Sequence, residues 1–425
     1  MTKEKMNQIR KNNMKLFPLY SMFSIDLVFF YAIKVLYLTN VKGINPADIV
    51  FSTGCYAFFR IFLQVPFNII IEKLGYRRSM ILGNFFNSLY VLLILCAQNL
   101  TWLILAEFVS CLAMGLKSVS ETAILDDSIP NSEQKGNIFS KLMGRGRARY
   151  YYFDAIATIL AGFLFDINPY IPFILSILVT ILSILLSCAF IDVPFTEKKN
   201  TSLKNSFYDI KIGFKFILQS GRLKGLLLFS GIMWGFLCLY DTYQVNLLND
   251  IQVSASLIGI LFAALKMVAG IAATKEKEFH QRFRKKSLTV LGISFCITLI
   301  LPGILALTPI SYAFLLCGII LCYFVFYIGK GLYDVLLKRY LSNFTSPEIL
   351  PKILSANEIS INALKGIISF IGSAVLGVVT TSWSMIIMGI TAMICMVILL
   401  KYMKTRVGLK PEQYARKEID YRIVR

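Results

Sequence analysis

Runs of about 20 predominantly apolar residues, the length an α-helix needs to cross roughly 30 Å of hydrocarbon, recur along this 425-residue chain. A bilayer core offers backbone groups no hydrogen-bond partner, so such runs must satisfy themselves as helices. The runs cover about 16–39, 49–71, 79–97, 101–123, 146–167, 170–191, 223–248, 255–274, 287–308, 310–334, 353–378 and 382–401. Hydrophobic residues make up 56% of the chain and charged ones 16%, a balance outside that of soluble domains. The expected fold class is an all-α membrane protein with twelve transmembrane helices.

Charged residues inside these runs are unevenly spread. Runs 1, 2, 4, 5, 7, 8, 10 and 11 hold them, whereas the interiors of runs 3, 6, 9 and 12 hold none. A charge at bilayer depth is costly unless it faces protein or a water-filled cavity, so four helices in each half must line something polar. The pattern occurs once in the first six runs and again in the last six, which divides the chain into two pseudo-symmetric six-helix bundles. The expected organisation is a tail over 1–15, a bundle over 16–191, a polar linker over 192–222, a second bundle over 223–403 and a basic tail over 404–425. Within the linker, Glu197, Lys198, Lys199 and Asn200 lead into the amphipathic run Phe207, Ile210, Phe214 and Ile217, a helix suited to the membrane surface.

Orientation follows from Lys and Arg, because short basic loops stay on the cytoplasmic side. Lys3, Lys5, Arg10, Lys11 and Lys15 precede run 1, Lys73, Arg77 and Arg78 join runs 2 and 3, and Arg282, Arg284, Lys285 and Lys286 join runs 8 and 9. Both termini are therefore expected in the cytoplasm. The same rule accounts for the formal charge of +20 without a nucleic-acid partner. No cleavable signal peptide is expected, since the first run is long enough to span and lacks a small-residue cleavage site. The nine cysteines lie in apolar runs without a CxxC pair and read as small core residues, and the single His280 sits in a loop. No metal site is expected.

The loop between runs 2 and 3 reads Asn68-Ile-Ile-Ile-Glu72-Lys73-Leu74-Gly75-Tyr76-Arg77-Arg78. It resembles the signature loop of the major facilitator superfamily, whose usual form is Gly-x-x-x-Asp-Arg-x-Gly-Arg-Arg. Glu72 stands for the acid, Lys73 for the first base, Gly75 for the turn glycine and Arg77 for the last arginine, while Asn68 and Tyr76 depart from the pattern. The twelve-run layout extends the likeness over about 16–403. In that family the loop gates the cytoplasmic side through ion pairs. The resemblance implies that Glu72 faces the start of run 11 and that Arg77 or Arg78 meets Asp126 and Asp127 at the end of run 4. The segment from Ser118 to Ser128 is similar to that of bacterial permeases and exporters of this superfamily. Run 5 keeps only Gly162, with Ala157 and Ala161 as small substitutes, of the glycine and proline pattern usual in its drug–proton antiporters.

Counting from the ends of each run places Asp26, Arg60, Asp154, Lys266 and Lys365 near the midplane, where substrate sites of such proteins lie. Lys34, Glu107 and Asp241 fall toward the outside, and Lys117, Glu121, Lys330, Asp334 and Glu358 toward the cytoplasm. Lys117 with Glu121, and Lys330 with Asp334, have the i,i+4 spacing of inner ion pairs. Asp26 and Arg60 could satisfy one another, and Lys266 and Lys365 could be held by Asp241 or Glu358. Asp26 and Asp154, with Glu107 next, are the candidates for proton coupling, because a buried carboxyl can bind and release a proton as its access changes. Tyr20, Tyr150, Tyr240, Tyr323 and Tyr327 are among the aromatics suited to an amphiphile pocket.

The resemblance implies a monomeric secondary transporter of the bacterial inner membrane, working by alternating access on a small amphiphilic molecule, with proton-driven efflux as its leading activity and no bound cofactor. Arg60, Lys266 and Lys365 leave uptake of an anionic or zwitterionic nutrient open, and a transporter-like sensor or assembly factor is a third possibility. The chain carries no phosphate loop and no soluble catalytic domain, so an enzyme is not expected.

Overall fold

The computed structural model describes residues 3–130, 134–193, 203–343 and 350–404. Glu197, Lys198, Lys199 and Asn200 of the linker and nearly all of the basic tail lie outside them. The described residues form helices throughout: α1 (Lys3–Ser24), α2 (Tyr31–Leu36), α3 (Pro46–Leu74), α4 (Tyr76–Cys96), α5 (Leu100–Ser128), α6 (Lys135–Ile167), α7 (Ile171–Cys188), α8 (Leu203–Gln219), α9 (Gly221–Asp250), α10 (Ala255–Thr274), α11 (Glu276–Phe283), α12 (Ser287–Leu307), α13 (Tyr312–Asn343), α14 (Leu350–Val378) and α15 (Thr381–Lys404). Helices α4 to α7, α9, α10 and α12 to α15 are the 10 that can cross a bilayer by length and composition.

The two remaining spans depart from the simple pattern. Helix α3 is 29 residues long and carries Arg60 inside its apolar run. The first span, expected as one helix, is broken: α1 stops at Ser24, residues 25–30 are not helical, and α2 resumes at Tyr31 before a π-helical turn over Tyr37–Val41. No proline or glycine marks the break, and Phe29 sits there with a φ of 62°, a conformation that costs a bulky side chain about 1–3 kcal/mol.

Contacts group the chain into two compact units. One comprises Met1–Ile44, Phe59–Ser206 and Ser254–Ala263; the other comprises Asn45–Phe58, Phe207–Val253 and Ala264–Arg425. In the first unit, α1, α4 and α5, with Ile129 and Phe190 just past the ends of α5 and α7, bury a core of Phe17, Tyr20, Met80, Ile124, Leu125, Ile129 and Phe190. The start of α10 packs on α6 through small residues. A Cβ on Gly162 would lie 2.4 Å from the Ala255 carbonyl oxygen, and one on Gly259 would lie 2.7 Å from that of Thr158. The Asp166 carboxylate completes this contact by accepting from the Ser256 amide at 2.9 Å, a favourable partner for the first turn of a helix.

In the second unit, α9 lies against α14 by the same device. Gly231 meets Leu364, Gly235 meets Ile368, and Gly372 meets Leu239. The first half of α3 also packs on α14, where Phe58 stacks on Phe370 at 5.5 Å and Ser373 Oγ donates to the Ala47 carbonyl at 2.8 Å. Lipid tails are as apolar as leucine, so such helices associate through close packing. Gly162→Leu is accordingly expected to lower stability by about 1–3 kcal/mol through overpacking, read as an earlier thermal unfolding midpoint in detergent, whereas Gly136→Leu, with open space around it, leaves the midpoint unchanged.

Candidate functional site

The break in the first span is met by polar side chains of α4, α5 and α7. Ending α1 at Ser24 frees carbonyl groups that hydrocarbon cannot satisfy, and other helices supply the donors. Ser183 Oγ of α7 donates to the Phe23 carbonyl at 2.9 Å. The Lys117 ammonium of α5 donates to the Ser24 carbonyl, and Lys117 is only 1% exposed. One turn further along α5, the Glu121 carboxylate accepts from Tyr20 OH at 2.6 Å and from Ser24 Oγ at 2.8 Å. Asn84 Nδ2 of α4 donates to Tyr20 OH and to Ser187 Oγ, both at 2.9 Å. Lys117 and Glu121 thus meet at the end of α1 without the direct ion pair expected for them. Helical side chains lean toward the N-terminus, so a lysine four residues before an acid leans away from it, the weaker of the two orders.

Asp26 lies in the break itself, half-buried, with its Oδ1 accepting from the Leu27 amide at 2.9 Å. Asp154 of α6 is 5% exposed, and both carboxylates are within electrostatic reach of Tyr150. The structure therefore brings two of the midplane candidates around one tyrosine. Glu107 is differently placed. Its Oε1 lies 2.7 Å from Lys34 Nζ, which also donates to Tyr90 OH at 2.7 Å, and Tyr90 OH is 3.3 Å from the same carboxylate oxygen. Arg60, half-buried on α3, shares electrostatic reach of Cys111 with Glu107.

In the second unit Lys330 reaches from α13 to α9 instead of to Asp334. Its Nζ lies 3.0 and 3.2 Å from the two carboxylate oxygens of Asp241 and 5.4 Å from the centre of the Tyr327 ring. The same lean toward the N-terminus explains why the i+4 partner is not used. Gln244, one turn from Asp241, donates to Tyr327 OH at 3.1 Å, and its Oε1 is buried with no partner among the described residues. Asp241 and Lys330 keep side-chain exposures of 47% and 27%, so the pair is open. Asp241 is committed to Lys330 and not to Lys266 or Lys365, which are half-buried on α10 and α14. Glu358 is exposed, and Asp334 is half-buried.

The signature loop also finds partners other than those implied. Gly75 links α3 to α4 with a φ of 84°, a conformation open to glycine. The Arg77 amide donates to Asp192 Oδ1 at 2.9 Å, and its guanidinium donates to the Cys188 carbonyl at 2.7 Å. Asp126 is instead held by Lys135 at 2.8 Å, and Asp127 Oδ2 is buried with no partner among the described residues. Tyr76, the departure from the motif, is the loop residue within electrostatic reach of Asp126, Asp127, Glu72 and Asp192. Glu72, Lys73 and Arg78 are exposed. Asp192 escaped sequence reasoning because it falls just past the sixth run, where one acid in a polar linker carries no signal.

The Major Facilitator Superfamily profile matches residues 16–329. The chain belongs to the Major Facilitator Superfamily. It is a multi-pass membrane transporter of that type and not an enzyme. An uncharacterized MFS-type transporter of Bacillus subtilis (strain 168), YxaM, is 25% identical over 239 residues, which span 53% of this chain and 56% of that protein. Among solved structures, the nucleoside transporter NupG superposes with a TM-score of 0.70 at 13% identity, covering 92% of this chain and 99% of its own. A POT family transporter in complex with 5-aminolevulinic acid gives a TM-score of 0.64 at 14% identity, covering 94% and 96%. At such identities the likeness speaks for the fold: twelve membrane helices in two six-helix bundles.

The superfamily loop yields a direct test. A Cβ on Gly75 would lie 2.9 Å from Asp192 Oδ2, and the left-handed backbone adds its own penalty. Gly75→Ala is expected to destabilise the protein by about 1–3 kcal/mol, and Asp192→Asn, which keeps an acceptor for the Arg77 amide, by less than half of that, both read from thermal unfolding midpoints in detergent.

Proposed function

We propose that the protein is a proton-coupled secondary transporter of the bacterial cell membrane that exports a small amphiphilic molecule as a monomer, with both termini in the cytoplasm and the proton gradient as its energy source. The observation carrying this reading is the environment of Glu121. Glu107 is paired with Lys34 at 2.7 Å, whereas the direct partners of Glu121 are the neutral hydroxyls of Tyr20 and Ser24. A half-buried carboxylate with neutral partners can exchange its proton when water access changes. Protonation would weaken the acceptor that ties α1 to α5 beside the break in the first span, linking proton binding to the rearrangement of that span. Asp26 and Asp154 around Tyr150 supply two further carboxylates. The test follows gradient-driven uptake of ethidium, as the cationic amphiphile, into everted membrane vesicles, whose outer face is the cytoplasmic one. Glu121→Gln is expected to abolish gradient-driven ethidium movement while leaving the amount of folded protein in the membrane unchanged; full transport with unaltered pH dependence in Glu121→Gln and in Asp154→Asn would overturn the proton-coupling assignment.

The open Asp241–Lys330 pair favours a second reading, a substrate bearing opposite charges, as for uptake of a zwitterionic nutrient. A zwitterion can exchange partners with an internal ion pair, its ammonium meeting Asp241 and its carboxylate meeting Lys330, without leaving either charge bare. A ligand of the folded state raises the unfolding midpoint. Under this reading a panel of amino acids and dipeptides raises the midpoint of the wild type, and the rise is lost in Lys330→Gln; under the leading reading only amphiphilic cations raise it, and Lys330→Gln keeps the rise.

A further inference from the structure

One face of α6 changes character along its length in a way the transport reading does not use. At 100° per residue, Lys141, Arg145, Arg149, Tyr152, Ile156 and Ile167 fall within one arc of about 100°. All six are exposed, Tyr152 and Ile167 at 75% each. Opposite them α6 is buried, with Gly146 against Ser21 of α1 and Gly162 against Ala255 of α10. The exposed face thus begins with three cations, passes through a tyrosine and continues as apolar surface that includes Phe163.

The charges on this face meet no acidic partner among the described residues. Lys141, Arg145 and Arg149 make no ion pair among the described residues. The two carboxylates of α6 lie elsewhere, Asp154 buried and Asp166 on the Ser256 amide. Lys135, at the start of the same helix, is by contrast held by Asp126. Arg149 precedes Tyr152 by about 4.5 Å along the axis and Ile167 follows it by about 22 Å, so the apolar part runs through most of a hydrocarbon layer of roughly 30 Å. Tyrosine is the residue type that settles at the boundary between hydrocarbon and headgroups, and the cations just beyond it stand at headgroup height.

We infer that this face of α6 is a binding site for an anionic phospholipid of the leaflet at the basic end of the helix. The phosphate and any further headgroup anion lie between Arg145 and Arg149, with Lys141 as an outer contact, and the acyl chains lie along Ile156. Charge complementarity selects an anionic over a zwitterionic lipid. The apolar stripe of Ile156, Phe163 and Ile167 selects a lipid over a soluble phosphate. Because α6 packs on both α1 and the start of α10, an occupant on its free face bears on the helix that joins the broken first span to the Gly162 contact.

The protein purified in detergent is titrated with dioleoylphosphatidylglycerol, dioleoylphosphatidylcholine or water-soluble glycerol phosphate, with bound lipid counted by native mass spectrometry and the unfolding midpoint followed in parallel. Phosphatidylglycerol is expected to bind and raise the midpoint, and the other two to do neither. Each of Arg145→Gln and Arg149→Gln weakens phosphatidylglycerol binding about five-fold. Arg147→Gln, an exposed arginine on a different face of the same helix, leaves it unchanged and controls for loss of net charge. Equal binding of phosphatidylcholine, equal binding of glycerol phosphate, or an Arg147→Gln effect as large as that of Arg149→Gln overturns the proposal. The midpoint of each variant without lipid shows that it is folded, and these exposed substitutions leave that midpoint within error of the wild type.

Discussion

The ammonium of Lys117 on the carbonyl of Ser24 is the interaction around which the first unit is arranged. A helix that stops in mid-membrane leaves carbonyls that neither lipid nor water can satisfy. An ammonium at 1% exposure is equally untenable without an acceptor. Each defect supplies the other's remedy. Ser183 does the same for Phe23, and Tyr20, Asn84 and Glu121 close the network around it. If Lys117 were removed, Glu121 would remain a half-buried carboxylate with only hydroxyls for company, and the end of α1 would lose its strongest donor. The break in the first span and the charges of α5 are therefore one feature.

A second constraint is the lean of helical side chains. Both i,i+4 pairs read from the sequence place the lysine before the acid, and in both the lysine turns away to another helix: Lys117 to α1 and Lys330 to α9. This redirects charge from along a helix to between helices. Contacts made in that way depend on how helices are placed against each other, which is what a transporter of the superfamily must change during its cycle. The two inter-helix pairs differ in exposure: Lys34 with Glu107 is nearly closed and touches Tyr90, while Lys330 with Asp241 is open beside Tyr327.

Small residues perform the complementary task. Gly162 and Gly259 let the start of α10 reach the backbone of α6, while Gly231, Gly235 and Gly372 let α9 and α14 interlock. The run-5 pattern of the superfamily's antiporters is mostly absent, yet its surviving glycine is the one at the α6–α10 contact. Sequence comparison alone could not say which of its glycines mattered, because the requirement comes from the neighbouring backbone.

What the amino-acid sequence determined by itself was the membrane-helical architecture, the positions of nearly all the spans and the family, since these rest on run length, hydropathy and a loop motif that are local properties of the chain. It also named most of the charges that matter, because a charged residue in an apolar run is conspicuous wherever it points. Only the tertiary structure decided their partners: Glu121 with Tyr20 and Ser24, Lys330 with Asp241, Arg77 with Asp192 and the Cys188 carbonyl. It alone revealed the break after Ser24, which has no glycine or proline to announce it. A helix ends there because donors from α5 and α7 wait in space for its carbonyls, and no spacing along one strand of sequence encodes where two distant helices will meet.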